Sequence, residues 1–244
     1  IKFQRGQAEM KKELFISKLP HLRRHPQQAQ IAPSSIQTIQ GNGFTWTDIQ
    51  NPDRAEIEKL GTMYNFSPLN LDDSISKIQL AKIDTYDDHS FIILHFPPPV
   101  IKRGISRFNQ LSVFIGKDYL VTIHYGDLKP LVDMVNNCKD NSQTRNELLS
   151  NSPGYLLYKI ADVLVDDLLH TLRRILANLD EIEDDVFDEN ISTPKKISLL
   201  RREITILRRI VHPLRKTMTE TSKNTQRFSN PEDDLAIHFD DVID

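Results

Sequence analysis

Residues 155–186, YLLYKIADVLVDDLLHTLRRILANLDEIEDDV, decide the fold. Leu157, Ile160, Leu164, Leu168, Leu172, Ile175, Leu179, Ile182 and Val186 step by three or four positions without interruption. Apolar steps of three and four kept for that length predict a single amphipathic helix of about nine turns. Asn190-Ile191-Ser192-Thr193-Pro194 follows as a loop with a cap and a proline at the first helical position. Beyond it Ile197, Leu200, Ile204, Leu207, Val211, Leu214 and Met218 alternate steps of three and four, the spacing of a coiled-coil seam. Two such helices joined by a short loop form an antiparallel hairpin. Pro213 should kink the second helix or be taken up near its end. The first helix ends in Asp180, Glu181, Glu183, Asp184, Asp185, Asp188 and Glu189. The second carries Lys195, Lys196, Arg201, Arg202, Arg208, Arg209, Arg215 and Lys216. Folding back therefore sets acid against base, which selects orientation more than it stabilises, at about 0–1 kcal/mol for each exposed pair.

N-terminal to this hairpin the periodicity changes. Phe44-Thr45-Trp46-Thr47-Asp48-Ile49 alternates as a strand, and Asn51-Pro52-Asp53 opens a helix with Ile57, Leu60 and Tyr64 on one face. Ser67-Pro68 starts a second, short helix through about Ile75. Ala81–Tyr86 alternates again, and Phe91–Phe96 is a nearly unbroken apolar run, as expected of a strand buried on both faces and stopped by prolines 97–99. Gln110–Ile115 and Tyr119–His124 flank Gly116-Lys117-Asp118 as a hairpin. These signals predict an α/β module, an α/β/α sandwich of four or five strands. The long antiparallel hairpin and the start of a stalk helix follow it. The expected divisions are an N-terminal extension at 1–35, the sandwich at 36–150, the hairpin packed on it at 151–229, and the stalk start at 230–244, opened by Ser229-Asn230-Pro231.

Composition restricts the function classes. Hydrophobic residues make up 39% and charged residues 27% of 244 positions, a globular balance. The net charge of −3 gives no global pull toward nucleic acid. One cysteine, Cys138, rules out a disulfide framework and fits a buried or half-buried thiol of a reducing compartment. No run reaches the ~18 apolar residues of a membrane span. The start at Ile1 and the end inside an opening helix read as a piece of a longer chain.

Three acidic places could carry chemistry: Asp72-Asp73 on the short helix, Asp162 early in the long one, and Asp240-Asp241 at the end. Carboxylate oxygens are the hard ligands that magnesium and calcium prefer. Adjacent carboxylates repel unless a cation relieves them. Asp162 and Asp166 share a helix face four residues apart. From spacing alone, surface charges and helix caps are the simpler explanation of the same residues, since acids are mostly exposed anyway. The eight histidines show no ligand spacing on a secure helix face, with His21 and His25 in a segment of uncertain helicity. No phosphate loop, nucleophile elbow or partner for Cys138 is present, so nothing argues for an enzyme.

Taken together, Phe44–Asp48, Phe66–Asp73, Lys82–Phe96, Gln110–Val113, Tyr155–Asp167, Glu181–Val186, Arg208-Arg209, Pro213–Arg215 and Phe239–Asp244 resemble the CorA family of divalent-cation transporters. The matches run in the family's order across about residues 40–244. The resemblance implies the cytosolic regulatory domain of a magnesium transporter, with cobalt as a second ion. It implies a homopentamer in the inner membrane whose last helix continues as a stalk into membrane helices beyond Asp244. It also implies regulatory magnesium sites between neighbouring subunits. By motif position Asp73 and Asp241 are one ligand pair, and Asp72, Asp162 and Asp241 a second group. Asp72 stands where glutamate is common, which shortens its reach by one methylene. A zinc-transporting relative of the same fold is the nearest alternative, although a zinc protein more often uses histidine or cysteine. A soluble coiled-coil interaction module is the alternative from another class.

Overall fold

The computed structural model describes residues 35–76, 79–98, 108–185, 193–231 and 234–243, all of them in one folded unit. The sheet begins with a hairpin of β1 (Ser35–Gln40) and β2 (Thr45–Gln50), whose turn holds Gly43 at φ 96°. Asp53 then caps α1 (Arg54–Tyr64): its carboxylate accepts from Ala55 N–H, and Glu56 accepts from the Asp53 N–H. Asn65, at φ 55°, ends that helix, and Pro68 opens α2 (Pro68–Ile75) in its first turn. β3 (Lys82–Thr85), β4 (His89–Phe96), β5 (Asn109–Gly116) and β6 (Tyr119–His124) complete a six-stranded sheet in the order β1-β2-β6-β5-β4-β3. All neighbours are antiparallel except β2 and β6, which are parallel with Thr45 opposite Tyr119.

Every residue of β4 and β5 is buried, so the sheet is covered on both faces. On one face Ile49, Phe91, Ile93, Phe114, Val121 and Ile123 meet Ile57 and Leu60 of α1 and Leu71 of α2. On the other, Trp46, Ile92, Leu94, Leu111, Val113 and Leu120 meet the later helices. These are α3 (Lys129–Asp140), α4 (Ser142–Leu149), α5 (Pro153–Asp185), α6 (Thr193–Thr225) and, after a 3-10 turn at Gln226–Phe228, α7 (Leu235–Ile243). The result is the expected α/β/α sandwich with long helices.

Three details depart from the sequence reading. The sheet has six strands, because β1 is an edge strand with only Ile39 buried and so carries a weak apolar signal. The segment 129–149, given no assignment above, forms two helices. The hairpin seam is narrower than predicted. Ile175, Ile182, Leu200 and Leu207 are buried between α5 and α6, but Leu172, Leu179, Ile197 and Ile204 stay exposed. One position per heptad is covered because, among the described residues, two helices pack there without a third layer. On α6, Ile206 and Ile210 are buried instead. α6 runs through Pro213, which with Ile206 and Ile210 faces Ile83 and His95 at the β3–β4 edge of the sheet. Near the far end Lys196 Nζ donates to Glu181 Oε1 at 3.1 Å, an acid–base apposition of the predicted kind. The loop at 186–192, Val186 of the stripe, and residues 1–34 lie outside the described residues.

Candidate metal centre

The last turn of α2 carries Asp72 and Asp73, at the end where the helix dipole is negative and carboxylates are disfavoured. The fold offsets this in two ways. Donors from the sheet take the terminal carbonyls: Gln110 Nε2 reaches Asp73 O and Ser74 O at 3.3 and 3.4 Å, Ser112 Oγ reaches Ser74 O at 3.3 Å, and Tyr125 Oη reaches Ile75 O at 2.5 Å. Cations take the carboxylates. Arg54 Nη2 donates to Asp72 Oδ1 at 3.0 Å, across an exposed surface. Lys82 Nζ donates to Asp73 Oδ2 at 2.8 Å and to Asp84 Oδ2 at 2.6 Å, and Gln79 Nε2 fills Asp73 Oδ1 at 2.7 Å. Burial by itself would lower the Lys82 pKa, but its bonds to Asp73 and Asp84 outweigh that and raise it.

Asp162 lies in the first half of α5, half-buried, with Lys159 Nζ 3.7 Å away. The same ammonium lies over the faces of Tyr155 and Tyr158, 5.7 and 4.8 Å from the ring centroids. Burial opposes its charge and the neighbouring tyrosines and Asp162 restore it, so its pKa is raised. His238 of α7 stacks on Tyr158 at 4.8 Å, and Phe239 meets Tyr158 edge-on. Asp240 and Asp241, next along α7, are exposed. Asp162 and Asp241 therefore come from two helices that touch, whereas Asp72 and Asp73 come from α2 on the opposite face of the sheet.

Among the described residues, no group of three or more His, Cys, Asp or Glu side chains is placed to share a metal ion. The four predicted ligands offer hard oxygen donors, suited to magnesium, but are not gathered within one chain. Sequence reasoning missed the cations that cover them, Arg54, Lys82 and Lys159. Signals were present for two of them: Lys82 and Asp84, two apart in a strand, share a face, and Lys159 and Asp162, three apart on the long helix, share another.

The chain matches the family model described as CorA-like Mg2+ transporter protein over residues 41–244. It is 25% identical over 171 residues to YfjQ of Bacillus subtilis (strain 168), whose name describes a metal ion transporter, covering 70% of this chain and 51% of that protein. It is 23% identical over 203 residues to the cobalt/magnesium transport protein CorA of Thermotoga maritima, covering 82% of this chain and 56% of that one. The chain thus spans about half the length of these curated relatives. The complete structure of the CorA magnesium transporter from Methanocaldococcus jannaschii superposes with a TM-score of 0.68 at 18% identity, over 84% of this chain and 63% of that one. Among the described residues no helix is long and apolar enough to cross a membrane.

Proposed function

Because the chain belongs to the CorA family of Mg2+ transporter proteins, we propose that it is the cytosolic regulatory domain of a divalent-cation transporter of the inner membrane. Its cargo is magnesium, with cobalt as a second ion, and the working assembly is a homopentamer. Residues 1–35 are then an extension, 36–150 the sandwich, 151–229 the hairpin, and 230–244 the start of the stalk. The observation that carries this reading is the placement of Asp72, Asp73, Asp162 and Asp241. Asp72 and Asp241 are exposed and Asp73 and Asp162 half-buried, on three helices, and among the described residues no three acids converge. Carboxylates so dispersed form a site when a neighbouring copy supplies the missing oxygens. Asp73 of one protomer would face Asp241 of the next, with Asp72 and Asp162 as further donors.

Magnesium, when bound, supplies the charge that lets these carboxylates approach each other. Without that charge the acids of adjacent protomers repel, the protomers separate, and α7 passes the motion toward the membrane. The magnitudes suffice. A site at ten times its dissociation constant contributes about 1.4 kcal/mol, and five contribute about 7. Shifting a gate from mostly open to mostly closed takes about 5.5 kcal/mol. Zinc is disfavoured by the donor set, which includes neither histidine nor cysteine.

The test is the thermal midpoint and sedimentation of this chain with and without millimolar magnesium, for wild type and Asp241→Ala. A magnesium-dependent rise or assembly that the variant loses is expected. Equal responses in both proteins would remove Asp241 from the sensor.

A further inference from the structure

The pair Asp73–Lys82 differs from the other covered ligands. Arg54 holds Asp72 across an exposed surface, with side chains 67% and 58% exposed, and Lys159 is 3.7 Å from Asp162, beyond hydrogen-bonding distance. Lys82 instead bridges two carboxylates at 2.8 and 2.6 Å, and the three side chains are only 32%, 23% and 35% exposed. Both oxygens of Asp73 are engaged, Oδ2 by Lys82 and Oδ1 by Gln79. Each of these oxygens keeps a second lone pair, but a divalent cation bound there would sit beside the Lys82 ammonium, and two cations that close repel, so binding at Asp73 favours departure of the ammonium.

The geometry of the strand provides an exit. Lys82 and Asp84 alternate with Ile83 and project on one side of β3, and the Nζ–Asp84 contact is the shorter of the two. Losing Asp73 would leave the ammonium with a partner already in place.

We infer that Lys82 is an internal counter-ion that a divalent cation must displace from Asp73, and that Asp84 retains the ammonium when it does. This rests on the reading of Asp73 as a sensor ligand. The bridge holds Asp73 neutralised and ordered when magnesium is low, and so places the response at higher magnesium than the bare carboxylate would. Because all three groups are partly solvated, the competition is modest, and removing it is worth about threefold to tenfold in magnesium.

The experiment titrates the 244-residue chain with magnesium chloride, reading thermal midpoint and sedimentation, for wild type, Lys82→Met, Lys82→Gln, Asp84→Asn, Lys82→Met with Asp84→Asn, and Asp73→Asn. Midpoints in a chelator establish that each variant is folded. Both Lys82 variants should reach the half-maximal response at about threefold to tenfold lower magnesium. Asp84→Asn should need more magnesium than wild type, and should have a much smaller effect in the Lys82→Met background, where no ammonium needs holding. A response that Asp73→Asn abolishes while the Lys82 variants match wild type overturns the counter-ion role alone. Additive effects of Lys82→Met and Asp84→Asn overturn the displacement, since independent charges would behave so. A response that survives Asp73→Asn removes the ligand and with it the counter-ion. No response in wild type or in either Lys82 variant overturns both readings.

Discussion

His95 shows how far burial changes a side chain whose sequence neighbours are ordinary. It sits in β4, 7% exposed, with its ring 3.8 Å from that of Phe108. Burial pushes its pKa down to about 4, only partly offset by Gln110. The folded chain therefore refuses a proton that the unfolded chain takes up near pH 6.5. Between those values the unfolded state binds more protons, so stability falls as pH drops from about 6.5 toward 4. We expect a loss of about 2 kcal/mol across that window. Urea unfolding of wild type and His95→Leu at pH 7 and pH 4.5 measures it, and an equal loss in both proteins would assign it elsewhere. Cys138 behaves consistently with its burial, its thiol pushed up to about 11. Asp48, buried within β2, accepts from Thr122 Oγ1 at 2.5 Å and pairs with His124 Nε2 at 3.2 Å. Gly126 N–H donates to His124 Nδ1 at 3.0 Å, which leaves the ring proton on Nε2 for Asp48. The residue type was visible in the sequence, but the partners, more than seventy positions away, were not.

At the scale of the element, α2 depends on its C-terminus. Its eight residues are too few to be stable alone, and its final carbonyls are held by Gln110, Ser112 and Tyr125. Asn70, buried within it, donates to Tyr86 Oη at 2.9 Å. Tyr125→Phe removes the donor to Ile75 O and should cost about 1 kcal/mol in urea unfolding. The same substitution should also weaken the magnesium response if the position of Asp72 and Asp73 depends on that cap. A variant as stable as wild type would show that water replaces the hydroxyl. The helix itself was legible from the Ser67-Pro68 start signal. Its anchoring was not, because Gln110 and Tyr125 read as unremarkable positions in and after a strand.

Across the molecule, stability is unevenly distributed. The sandwich buries large side chains on both sheet faces, Trp46, Phe91 and Phe114 among them, each without exposed surface. The distal hairpin depends on Ile175, Ile182, Leu200 and Leu207, with Leu168 and Val211 partly buried beside them. Its neighbours Leu176 and Ile204 are 52% and 46% exposed. Regions with few buried apolar contacts open at lower free energy than the core. Amide hydrogen exchange should therefore be faster in 176–185 and 195–204 than in β4 and β5, and Leu207→Ala should accelerate the hairpin far more than the strands. Equal protection of hairpin and sheet would mean that the two unfold as one unit.

Periodicity, with the cap and proline signals, determined most of the strands, the two short helices before β3, and the nine-turn helix with its partner, but not β1 or the two helices at 129–149. These features follow from neighbours two, three or four residues apart, which the chain carries in its order. The tertiary structure decided which half of each long helix is buried, how an edge strand joins the sheet, and that Arg54, Lys82 and Lys159 already neutralise three of the four predicted ligands. The Lys159–Asp162 approach is local, three positions apart on one helix, but the other two pairs depend on groups brought together across the fold: Arg54 and Asp72 are eighteen positions apart, and Lys82 and Asp73 nine. An ion pair of that kind is set by the distance between side chains in space, which the spacing of residues along the chain does not specify.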